Sequence, residues 1–160
     1  MRSLPFRATL IALVLVAAPA LAVSVAAMAP EPSDQPTKVE DADLERAIAL
    51  VWAEEYAEAE PLLQAALKRN PKDPDAWNYL GFTTRKLGDM NEGMAFYRAA
   101  LAKNPGNIAA RSYMGQALVE TGDLVGARHQ LLEIAAHGGS GTWSETSLRQ
   151  AIMTGVTYSY

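Results

Sequence analysis

From Glu40 onward, apolar and polar residues recur at helical spacing, in a composition dominated by alanine, leucine and glutamate. Almost no β-branched alternation interrupts them, so the pattern predicts helices rather than strands. Short breaks divide the pattern. Leu87-Gly88-Asp89 and Thr121-Gly122-Asp123 each read as a turn between two helices, with the glycine free to take a left-handed cap. Pro71 and Pro105 cannot continue a helix and end the segments before them. Gly138-Gly139 closes the last long segment. Ser144 then predicts the N-cap of a final amphipathic helix containing Leu148, Ala151 and Ile152 and stopping near Gly155. Pro61 lies inside a predicted helix. A start near Ala57 or Glu58 would place its missing N–H among first-turn donors that lack an intrahelical acceptor.

The breaks are periodic. Asn70-Pro71 returns 34 residues later as Asn104-Pro105, which divides the chain into blocks 40–73, 74–107 and 108–141. In the middle block, Trp77, Leu80 and Gly81 are followed by Gly93, Tyr97, Ala100 and Pro105, with Thr84 where a tyrosine would complete the pattern. This block resembles the tetratricopeptide-repeat (TPR) signature. The third block keeps Gly115 and Ala127, which allow close approach, with Met114, Leu118 and Leu131 to fill it. The first is the most degenerate: it keeps Ala47, Tyr56, Ala59, Leu63, Ala66 and Pro71 but has Asp43 in place of tryptophan. End repeats have one neighbour fewer to satisfy, so degeneracy there is expected.

The resemblance covers Glu40 to Ile152 and is similar in type to exported proteobacterial TPR proteins. It implies an all-α, right-handed superhelix (an α-solenoid) of three helix pairs over 40–155, with a cap helix over 144–155 and a tail over 156–160. Small residues would let the paired helices approach to about 8–10 Å, with Gly81 facing Gly93, and Trp77, Leu80 and Tyr97 filling the space between. It also implies a concave groove lined by the first helix of each pair. Carried over by register, the lining is Leu44, Ile48, Val51 and Trp52, then Asn78, Phe82, Arg85 and Lys86, then Ser112, Gln116, Val119 and Glu120. Ile48, Trp52, Asn78, Phe82, Arg85, Ser112 and Gln116 are the candidate partner-binding residues, with an apolar end near Trp52 and Phe82. Phe82 has no packing reason to stand at an outward position, which marks it for binding. Packing between repeats is an equal reading for Ile48 and Val51. The carboxylate clamp that holds chaperone tails is not reproduced, since its positions are Leu44, Ile48 and Tyr113 here.

The N-terminus changes the picture of where the chain acts. Arg2 and Arg7 precede an apolar stretch from Ala8 to Ala18, and Ala20-Leu21-Ala22 has the small residues of a cleavage site. These features predict a signal peptide over 1–22, removed before Val23, with Ala27-Met28-Ala29 as a second cleavage option. A retained membrane anchor is the alternative, because the run to Ala29 approaches spanning length. The proline-rich segment from Pro30 to Pro36, within a linker over 23–39, reads as an extended tether.

Composition narrows the chemistry. The 160 residues suit one domain plus termini, with 49% hydrophobic and 20% charged residues. The net charge is -4, and no basic run offers a nucleic-acid footprint. Absence of cysteine excludes disulfides, thiolate metal sites and cysteine nucleophiles. His129 and His137 stand eight apart without a carboxylate pair at ligand spacing and read as a solvated helix face. Glu54, Glu55, Glu58 and Glu60 read as solvated charge near a helix start. Gly138-Gly139-Ser140-Gly141 follows a helix and lacks the lysine of a phosphate loop. The expectation is a protein-binding scaffold without catalysis, cofactor, metal or nucleic-acid partner, periplasmic or secreted. Two alternatives are self-association, with the groove filled by another copy or by the Pro30–Pro36 tether, and an accessory role in envelope assembly or maturation.

Overall fold

A computed structural model describes residues 41–157. The expected signal segment 1–22, the linker 23–39 and the tail beyond Thr157 lie outside the described residues. Among these, the chain forms seven helices and no strand: α1 (Ala42–Trp52), α2 (Tyr56–Arg69), α3 (Pro74–Lys86), α4 (Met90–Lys103), α5 (Ile108–Glu120), α6 (Leu124–Ala136) and α7 (Trp143–Thr154).

Local sequence explains most of the boundaries. Asp41, Asp73, Asp89, Asn107, Asp123 and Thr142 each accept a backbone N–H from the first turn of the helix they precede, satisfying donors that would otherwise be orphaned. Pro74 follows Asp73 at the start of α3, where the missing N–H costs nothing. The last helix departs from expectation: Thr142, not Ser144, is its N-cap, so it begins at Trp143. Helix α2 has no such help, because Glu55 makes no side-chain cap bond. Its start at Tyr56 also moves Pro61 beyond the first-turn donors, so Pro61 forfeits one interior hydrogen bond.

Helices pair α1 with α2, α3 with α4 and α5 with α6, and successive pairs stack. The odd-numbered helices also touch one another, α1 to α3 and α3 to α5, whereas the even-numbered ones do not. A stack whose one row is drawn together curves toward that row, so α1, α3 and α5 form the inner face. The tightest pair is α3 with α4, where Gly81 and Gly93 face each other: a Cβ on Gly93 would lie 2.8 Å from the Gly81 carbonyl oxygen. Tyr97 is wholly buried beside them.

Trp77 is less enclosed than the TPR signature suggests. It is half-buried, stacks 5.6 Å from Phe96, and donates its indole N–H to the Pro71 carbonyl at 2.9 Å. One period later Arg111 does the same work, its Nε donating to the Pro105 carbonyl at 2.9 Å. Gly115 also makes room for α7, since a Cβ there would lie 2.5 Å from Leu148. Helix α7 packs on α5 and α6 and buries Leu148 and Ala151, closing the end of the solenoid.

Candidate partner-binding face

Three residues one period apart, Trp52, Lys86 and Glu120, end α1, α3 and α5 and make a row across the inner face. Trp52 is 51% exposed. Burial and the neighbouring Arg85 charge push the Lys86 pKa below its ordinary value, and the carboxylates of Glu120 and Glu54 oppose that shift. Tyr56, at the start of α2, lines a shallow depression beside this row with Glu54, Glu55, Glu58 and Leu87.

Behind the row the predicted lining residues have little exposed surface. Asn78, Phe82, Arg85, Ser112 and Gln116 are all 5% exposed or less. Ile48 is half-buried and Val51 is in the core. Phe82 does have a packing reason: its ring lies 6.0 Å from Tyr56 and 5.1 Å from Tyr113, bridging three helix pairs. Phe82 is therefore core as well as lining. Ser112 serves the cap, its hydroxyl donating to the Ser144 carbonyl at 2.9 Å and meeting the Ser147 hydroxyl at 3.3 Å. Gln116 donates to Ser112 at 3.5 Å.

Arg85 is the unusual member. Its guanidinium lies 5.4 Å over the Phe82 ring, as does the Lys86 ammonium, an arrangement favoured by the ring quadrupole. Nη1 pairs with Glu120 Oε1 at 3.1 Å, but Nε and Nη2 have no hydrogen-bond partner among the described residues. The Asn78 carbonyl oxygen shares that condition, and the Tyr97 hydroxyl, which the Arg85 side chain approaches, misses hydrogen-bond geometry with it. Burial raises the Tyr97 phenol far above its ordinary pKa, and the nearby Arg85 charge only partly opposes it. A buried cation with spare donors is costly unless something accepts from it.

Two features escaped the sequence. Arg111 stands where the signature has tryptophan, and it ties Gln130, Glu133 and His137 together at 3.1–3.3 Å. His137 thus belongs to a polar network, its Nε2 accepting from the guanidinium, while His129 is solvated as expected. Thr84, in the tyrosine position, donates to Glu60 at 3.4 Å. Both pairings join residues distant along the chain, which no local spacing announces. Among the described residues no group of three histidine or acidic side chains could hold a metal.

The comparisons agree with this geometry. Two tetratricopeptide-repeat family models match residues 44–108 and 84–140. The TPR domain of Sgt2 from Aspergillus fumigatus superposes with a TM-score of 0.65 at 22% identity, covering 74% of this chain and 79% of that one. The first TPR of Spaghetti (RPAP3), bound to the HSP90 peptide SRMEEVD, gives 0.61 at 17% identity over 71% and 89%. The Yersinia enterocolitica type III secretion chaperone SycD, in complex with a peptide of the translocator YopD, gives 0.60 at 14% identity over 70% and 85%. No curated protein sequence matches. With helices stacked in pairs and two family models spanning them, this chain is a tetratricopeptide-repeat protein.

Proposed function

We propose that this chain is a non-catalytic scaffold that holds a peptide segment of a partner protein on the inner face, with an apolar anchor at Trp52 and a carboxylate toward Arg85. The observation that carries this reading is the buried Arg85 guanidinium with two nitrogens lacking a described partner. A carboxylate is the natural complement of that fork. Trp52 adds a half-exposed aromatic at the other end of the row, and aromatic and arginine residues dominate binding hot spots. The peptides held by the RPAP3 and SycD repeats are consistent with the same use of this fold.

A displayed peptide library tests it. The native chain should enrich peptides that combine an acidic with an apolar residue, and Arg85→Met should lose the acidic preference at an unchanged melting temperature. Equal enrichment by both proteins would place binding elsewhere. We also propose that the partner is met outside the cytoplasm, in the periplasm or beyond. The basic, apolar and small-residue sections of segment 1–22 support this. N-terminal sequencing of envelope protein should then begin at or near Val23, whereas an intact Met1 in membranes would favour a tethered form.

A further inference from the structure

The outer helices of the three pairs do not present the same surface to solvent. On α6, Val125 and Leu132 stand two turns apart and are 78% and 70% exposed. One and two periods earlier, the position of Val125 holds Asn91 and Ala57, and that of Leu132 holds Arg98 and Gln64, all of them exposed. At these positions, therefore, only α6 carries large apolar side chains. Their spacing puts them on one stripe of the helix, which Ala136 extends and His129 divides. The outer helices do not touch one another, and among the described residues no further outer helix follows α6, so the stripe is open to approach.

We propose that this stripe docks against the same stripe of a second copy of the chain, the two α6 helices running antiparallel about a two-fold axis near Leu131. The stripe is complementary to itself in that register. Val125 meets Ala136 of the second copy, whose small side chain lets the helices approach to about 8–10 Å. Leu132 fills the centre beside its own equivalent. A two-fold axis sets each flank of the helix against the same flank of the copy. Arg128, on one flank, therefore faces Ala135 rather than another arginine. On the other flank His129 faces Glu133, a pairing that the single chain already makes at 4.0 Å. Glu133 has an oxygen to offer, because Arg111 holds Oε2 at 3.1 Å while Oε1 turns toward His129. Sliding the pair by one turn either way would set His129 against His129 or Glu133 against Glu133. Meetings of like groups are disfavoured, so the charges select the register.

Helix α6 is about 20 Å long, short for a permanent interface, so the dimer should depend on concentration. Sedimentation velocity of the full chain across the micromolar range should show a monomer–dimer equilibrium. Leu132→Glu should weaken it by about tenfold or more at unchanged helicity, while Gln64→Glu, at the same position two periods earlier, should leave it in place. Association that survives Leu132→Glu would overturn the proposal and place the contact on another surface. A chain that stays monomeric throughout would overturn it in favour of a different protein on the stripe. Cysteine, which the chain lacks, tests the register. Under mild oxidation Leu132→Cys should link to itself, since the two copies of that position lie within about 3 Å along the axis. Ala136→Cys, about 15 Å from its equivalent, should link only when mixed with Val125→Cys. Self-linking of Ala136→Cys, or failure of the mixture to link, would overturn the antiparallel register. None of these measurements uses a peptide and none of the substituted residues lies on the inner face, so this proposal and the peptide selection stand or fail separately.

Discussion

Position 54 shows how one residue departs from an otherwise repeated device. Gly88 and Gly122 occupy left-handed turns one period apart, at φ 105° and 83°, and the residue one period earlier is Glu54, at φ 61°. A side chain there carries steric strain of about 1–2 kcal/mol. Glycine would relieve it, less the extra entropy it loses on folding, so Glu54→Gly should stabilise by about 0.5–1 kcal/mol; an unmoved or lower urea midpoint would reject the strain. The opposite applies at Gly93, where the obstacle to a Cβ is the Gly81 backbone itself. Gly93→Ala should destabilise by about 1–3 kcal/mol in the same assay, and a neutral result would mean that α3 and α4 separate freely. Arg85 and Glu120 are unequal partners, at 2% and 31% side-chain exposure. Removing the carboxylate strands a buried charge, so Glu120→Ala should cost about 2–3 kcal/mol. Arg85→Met leaves a solvated glutamate and should cost little, and the reverse ranking of the two melting temperatures would contradict this picture.

Among the elements, α7 depends on one side chain. Leu148 is wholly buried in the space that Gly115 leaves open, so Leu148→Ala should lose about 2–5 kcal/mol. Calorimetry would show it, and a shift near zero would mean the cap is decorative. Helix starts also set a pH dependence. At the head of α1, hydrogen bonding from Arg69 lowers the Asp41 pKa below 3.8, assisted by the N–H groups of Leu44 and Asp43. With the folded value depressed, this contribution is present above pH 3.8 and is lost as pH falls through the lower folded value. Carboxyl resonances followed through an acid titration should place the Asp41 midpoint below 3.8, and one at or above it would mean that Arg69 does not hold the cap. Glu145 follows the same rule through the Gly141 N–H and Arg149. By contrast α2 has neither a side-chain cap nor an unbroken ladder at Pro61, so it relies on Ala59, Leu63 and Ala66 being buried.

At the scale of the whole molecule, the signals divide by range. Helical period, Asn-Pro and Gly-Asp breaks and the 34-residue recurrence act within a turn or a repeat, so the sequence by itself determined an all-helical solenoid of paired helices with a cap. The small residues Gly81 and Gly93 announced the closest helix contact for the same reason: their partners stand at fixed offsets within one repeat. The inner face was legible only as a register. Which of its side chains stay open depends on residues one or more repeats away, and tertiary structure alone decided it. Phe82 is buried because Tyr56 and Tyr113 converge on it, Ser112 because α7 returns over α5, and Arg85 is pinned by a carboxylate 35 positions along the chain. Curvature brings the ends of α1, α3 and α5 into one row and sets Thr157 against it. Local spacing encodes none of these meetings, because each is fixed by how successive repeats pack rather than by what any one repeat contains.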